Sequence, residues 1–210
     1  MLGGGRDRVL CEARKPLKQF RAMLCGPSGP EALEAFKRFL RKEKNPWSRW
    51  RIWKTIKLGD IKSTKELRKA IIAAGMGFMD EAKELLDDSR FTVAERETEV
   101  DLVVASGFEL GFNNLNDAPI TSCSEIYARA KTLGLELCPA EVGPQLRLQY
   151  KDQPRDETLT IAMGEFYDVI HDNCKTFYVS GYYNALGQTS GGSYGFRDVR
   201  VKWVFVLPRK

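Results

Sequence analysis

Near residue 91 the apolar residues of this chain change their period, from the three-to-four spacing of helices to the alternation of strands. Before that point, Pro16 opens a predicted helix over 17–24, which the turn residues Gly26-Pro27-Ser28-Gly29-Pro30 end. Pro30 then starts a second helix over 31–42, with Leu33, Phe36 and Leu40 facing inward and Phe39 widening the apolar face. A third begins at Ser63 or Thr64, with Glu66 placed for a capping box, Leu67, Ala70, Ile71 and Ala74 inward, and Gly75 as its stop. A fourth covers 79–86. Beyond residue 91, Val100, Leu102 and Val104 alternate with Glu99, Asp101 and Val103 as in a strand. One further helix, 124–133, stops at Gly134, and strands are predicted over 145–150, 159–163, 176–183 and 203–207.

Helices first and strands last predict an α+β fold. A helical, basic N-terminal part, 1–90, is followed by a mainly antiparallel β-sheet C-terminal part, 91–210, as two regions or one cooperative domain.

Charge divides along the same line. The net charge of +5 is the sum of +12 over residues 1–70, with 19 Lys and Arg against 7 acids, and −7 over 71–210, with 14 against 21. A polyanion is therefore drawn to the N-terminal third and repelled by the remainder. No apolar run approaches the roughly 18–20 residues that span a bilayer, and residues 1–8 carry no apolar signal core. The expectation is a cytoplasmic protein with no membrane partner. Five cysteines, at 11, 25, 123, 138 and 174, are odd in number and widely spaced, so reduced, largely buried thiols are expected rather than a disulfide framework or a zinc knuckle. A single histidine excludes sites built on two imidazoles of one chain. No metal or cofactor is expected.

The tract of residues 134–154, GLELCPAEVGPQLRLQYKDQP, is distinctive. It resembles a group of bacterial proteins, seen especially in candidate-phyla genomes, for which no activity is established. The likeness continues through 35–45, 53–59, 97–103 and 205–210, and lapses between Gly164 and Arg200, where Cys174, Tyr178, Tyr182, Tyr183 and a Gly/Ser loop stand. It implies relatives and no reaction.

Among candidate sites, residues 36–57 interleave cations with aromatic rings. Lys37, Arg38, Arg41, Lys42, Arg49, Arg51 and Lys54 would neutralise phosphates, and Trp47 or Trp50 would stack on bases, the usual footprint of single-strand binding. The competing reading is a solvated basic face over an aromatic core. Trp53, beside Ile52, Ile56 and Leu58, is expected to anchor that core, and Trp47 to lie at the surface. A second candidate, Glu95, Glu97, Glu99 and Asp101 on one strand face, lacks the carboxylate-then-Glu-x-Lys pattern of Mg²⁺ nucleases. The one Glu-x-Lys in the chain, Glu81-Ala-Lys83, falls in a predicted helix instead, so a solvent-facing acidic edge is expected.

His171-Asp-Asn-Cys174 sets a thiol near an imidazole, yet reads better as a turn. The stiff loop 138–144 leads to Glu141, Arg147, Tyr150 and Asp152, which would line a polar-ligand pocket or serve as a connector with Arg147 paired to a carboxylate. Residues 187–195 lack a Gly-Lys-Ser/Thr ending and read as a flexible loop. The function expected is non-enzymatic binding of nucleic acid through the basic third. The alternatives are a small-ligand binder or enzyme at loop 138–152, and an adaptor for an acidic protein.

Overall fold

The computed structural model describes residues 16–27, 29–41, 50–112, 123–164, 166–168, 173–190 and 200–209. The chain divides into two compact units, Met1–Arg51 with Lys210, and Ile52–Arg209.

In the first unit, α1 (residues 16–24) and α2 (Gly29–Leu40) form where the prolines and apolar spacing predict helices. Phe20 of α1 meets Phe36 of α2 with ring centroids 5.1 Å apart. The inward side of α2 is the small pair Ala32 and Ala35, whereas Leu33, Phe39 and Leu40 are exposed, opposite to the expected Leu33–Leu40 face.

The second unit is built on one mixed sheet. Its strands are β1 (Lys54–Leu58), β2 (Gly77–Phe78), β3 (Thr98–Ser106), β4 (Thr158–Ile161), β5 (Tyr167–Asp168), β6 (Asn173–Ser180), β7 (Ala185–Ser190) and β8 (Lys202–Val206). Their order is β1-β3-β8-β4-β6-β7-β2, with β5 paired to β6. β4 with β8, and β2 with β7, are parallel, so the sheet is not the mainly antiparallel one expected, and β1 and β2 precede residue 90.

One face carries α3 (Thr64–Ala73), α4 (Asp80–Asp87) and α7 (Val142–Gln149), and Leu67, Ile71, Leu86 and Leu146 pack on Ile56, Leu102, Ile161, Phe177 and Val204. The other carries α6 (Cys123–Thr132), whose Tyr127 meets Trp203 edge to face at 6.2 Å. The short α5 (Gly107–Leu110) continues β3 through a capping box between Ser106 and Glu109. Leu102 to Ala105 form a continuous apolar run on β3 because the sheet is covered on both faces.

The helix signals worked where they were local. Ser63 Oγ accepts from Glu66 N–H at 3.2 Å, and Gly75 and Gly134 end α3 and α6 at φ +71° and +80°. Ala74, expected inward, is exposed.

Residues 145–150 are not a strand: they lie in α7 and at its end. Residues 142–147 are all buried, so no polar stripe reveals the 3.6-residue period, and the Leu146/Leu148 alternation misleads. Pro144 sits in the first turn, where a missing N–H costs little. At Gly143 a Cβ would stand 2.6 Å from Cδ2 of Phe177, so only glycine permits this approach of α7 to β6. Residues 187–190, read as loop, belong to β7, whose Gly187 lies opposite Tyr178; 191–199 fall outside the described residues.

Candidate functional site

The basic candidate starts from α2. Glu34 lies one turn before Lys37 and two before Arg41, so one helix face brings the three together. The Glu34 carboxylate is shared by Lys37 at 3.9 Å, Arg41 at 3.4 Å and Arg51 at 3.6 Å. Among the described residues one carboxylate is thus shared by three cations, and the side chains are well exposed, at 54%, 53% and 71% for Lys37, Arg41 and Arg51. The i, i+3, i+7 spacing of Glu34, Lys37 and Arg41 is legible in the sequence. Arg38 is half-buried on the same helix, and its Nε has no hydrogen-bond partner among the described residues. Trp50 is buried at 7% exposure, which leaves it little surface for stacking on a base. Lys42, Trp47 and Arg49 lie outside the described residues. Lys54 belongs to the second unit, where its ammonium stands over the rings of Tyr150 and Trp53. Trp50 and Trp53 do not share a helix face, since residues 51–53 are irregular and β1 follows. Trp53 is half-buried and packs against the core.

The candidate on loop 138–152 comprises Glu141, Arg147, Tyr150 and Asp152. Glu141 is 1% exposed, and every oxygen of its carboxylate is engaged. Oε1 accepts from Gly59 N–H at 2.7 Å and Gln145 Nε2 at 3.1 Å, and Oε2 accepts from Ala94 N–H at 2.7 Å. Gly59 has φ +75°, and a Cβ there would stand 2.4 Å from the Arg96 carbonyl, so this turn requires glycine. Lys62 closes the same corner by donating to the carbonyls of Gly59 and Glu95. Glu141 thus ties two loops to the start of α7.

Arg147 is equally buried and, among the described residues, has no carboxylate partner, contrary to the expected ion pair. Its Nη1 donates to Gln153 Oε1 at 2.6 Å and to the Ser180 carbonyl at 3.3 Å, and Nη2 donates to the Tyr150 carbonyl at 2.7 Å. Burial holds the guanidinium pKa below its usual value. Tyr150 Oη donates to Glu157 Oε2 at 2.8 Å, and burial followed by this bond pushes the phenol pKa up. Asp152 is exposed, 3.9 Å from Lys54 Nζ.

Of the acidic row, Glu95, Glu97 and Glu99 are exposed as expected, and Asp101 departs from it. β3 lies between β1 and β8, and Asp101 is buried, receiving Arg209 Nε at 2.8 Å, Arg209 Nη2 at 3.0 Å and Thr55 Oγ1 at 2.6 Å. Its charge is neutralised by a bidentate arginine. Among the described residues no group of three His, Cys, Asp or Glu is arranged to hold a metal ion. Cys174 is bonded to Cys123 across 51 positions, so it is not a reduced thiol and supplies no nucleophile; His171 lies outside the described residues. Cys123, Cys138 and Cys174 are buried as expected, Cys25 is exposed, and Cys11 lies outside. No described helix is long and apolar enough to cross a membrane.

No protein-family model matches this chain, and no curated protein or solved structure matches it at a significant level. The sites are therefore read from their own chemistry.

Proposed function

We propose that the protein is a cytoplasmic, non-enzymatic binder of nucleic acid, acting through its basic N-terminal unit. The observation that carries this reading is the cluster of Lys37, Arg41 and Arg51 around the carboxylate of Glu34. Phosphates entering the cluster would meet half-exposed cations already gathered on one side of α2, and each neutralised phosphate would release condensed counterions. Residues 1–51 hold 13 Lys and Arg against 5 acids, while 52–210 hold 20 against 23, so the attraction belongs to the first unit. Stacking falls to Trp47 in this reading, since Trp50 is buried. Glu141 and Arg147 are occupied by internal hydrogen bonds, which argues against an enzyme or ligand site built on those two residues of loop 138–152.

The test is binding to single- and double-stranded oligonucleotides over a salt series. The logarithm of affinity should fall linearly with that of salt concentration, and Lys37→Gln with Arg51→Gln should reduce the slope by roughly two. Glu34→Gln should raise affinity. No binding at low salt, or a flat response, rejects the reading.

A second reading is favoured by the exposure of Leu33, Phe39 and Leu40 beside these cations: an acidic protein partner with apolar contacts. Binding of such a partner would resist salt better than binding of an oligonucleotide.

A further inference from the structure

Where β1 begins and α7 ends, a lysine of the chain occupies a corner made of two aromatic rings and a carboxylate. Lys54 Nζ stands 4.6 Å from the centroid of the Tyr150 ring and 5.7 Å from that of Trp53. The two rings meet edge to face at 5.1 Å and 83°, so they form adjoining walls rather than a stack. Asp152 Oδ1 stands 3.9 Å from the ammonium.

Tyr150 is held on several sides. Its N–H donates to the Leu146 carbonyl at 2.8 Å, its own carbonyl accepts from Arg147, and its hydroxyl donates to Glu157. Donation to a carboxylate also enriches the ring in electrons, which strengthens its attraction for a cation. The aromatic wall is therefore set before any cation arrives.

The present occupant fits this corner poorly. A primary ammonium carries three N–H donors and is strongly hydrated. Lys54 Nζ makes no hydrogen bond to a described residue, and its ion pair at 3.9 Å is longer than a hydrogen bond. Ring faces and a distant carboxylate suit a cation with no N–H to satisfy, whose charge is spread over methyl groups. Lys54 is also on a flexible stem and 26% exposed, so it can swing into water and yield its place.

We propose that Trp53, Tyr150 and Asp152 form a binding site for a quaternary ammonium group, which Lys54 fills in the absence of ligand. The head group is that of a trimethylated lysine side chain or of a choline-type small molecule; the two share this chemistry. This proposal is independent of nucleic-acid binding by the first unit.

The test uses the full chain and tetramethylammonium chloride, with sodium chloride at equal concentration as the control. The probe is the indole N–H resonance of Trp53, assigned by its loss in Trp53→Phe. In Lys54→Met, which keeps the stem and removes the charge, tetramethylammonium should shift this resonance saturably, with an affinity at least fivefold above that of the wild type. Asp152→Asn, added to Lys54→Met, should weaken binding severalfold. Lys54→Gln gives the same reading should methionine disturb the strand. Choline and free trimethyl-lysine, titrated in turn, separate the two sources by which binds more tightly than the bare cation. A Trp53 resonance in Lys54→Met that moves no further than in sodium chloride overturns the site. Equal affinity in wild type and Lys54→Met overturns the role given to Lys54.

Discussion

The carboxamide of Gln149 takes both backbone groups of Lys57: Oε1 accepts from the Lys57 N–H at 3.0 Å, and Nε2 donates to the Lys57 carbonyl at 2.8 Å. β1 is the terminal strand of the sheet, so this side chain stands where a further strand would pair. A helix residue thereby closes part of an open edge. Gln149 Nε2 also donates to Gln145 Oε1, and Gln145 reaches Glu141, which joins the edge to the buried carboxylate. Gln149→Leu should cost about 1–2 kcal/mol, since water can replace part of what is lost at this exposed position. The variant should also aggregate at lower protein concentration than the wild type. Urea unfolding and light scattering check both outcomes; unchanged values would mean the edge needs no cover.

Glu141 acts on structure through the amides of Gly59 and Ala94. Glu141→Ala orphans both and should cost about 2–5 kcal/mol, whereas Glu141→Gln keeps one acceptor oxygen and should cost less. Hydrogen exchange at Gly59 and Ala94 should accelerate ahead of exchange in β3. Exchange that accelerates uniformly instead would show that the carboxylate supports the whole fold and not these two loops.

The Cys123–Cys174 bond ties the start of α6 to β6 and closes a loop of 51 positions. In the chain-entropy picture a loop of this size is worth about 4 kcal/mol. Unreduced peptide mapping should find the two cysteines linked, and Cys123→Ala with Cys174→Ala should lower the urea midpoint. Because both sulfurs are buried, reductant should act slowly on the folded protein. A cytoplasmic setting would keep exposed thiols reduced, so the redox state in cell extracts also tests the proposed location. Coincident unfolding curves with and without reductant would remove the bond's structural role.

Tyr150 sets an alkaline limit. Its phenol pKa is raised above the ordinary 10.0, first by burial and then by its bond to Glu157. Below about pH 10 folded and unfolded chains both keep the proton, and the full contribution is present. Above that pH the unfolded chain releases the proton while the folded one retains it, so stability falls as pH rises. Tyr150→Phe should show a shallower fall between about pH 10 and 12. Parallel slopes would place the alkaline sensitivity elsewhere.

How much of this was legible in the chain depends on how far each signal reaches. Helices α2, α3, α4 and α6 were readable from spacing and caps, because Ser63, Gly75 and Gly134 act on their own turns. The charge gradient was readable too, since counting charges needs no geometry. Burial erased the rest: α7 is enclosed over residues 142–147, and a helix without a polar face carries no period to detect. Asp101 looked like a surface acid because its partner, Arg209, is 108 positions away. Cys123 and Cys174 looked reduced for the same reason.

Local sequence therefore determined which segments become helices and where charge accumulates, through interactions spanning a few residues. Tertiary structure alone decided that Glu141 holds two loops, that β1 has a covered edge, and that Lys54 stands over the rings of Trp53 and Tyr150. Those arrangements join residues about 50 to 100 positions apart, and only the folded sheet with its helices brings such groups within hydrogen-bonding or van der Waals reach.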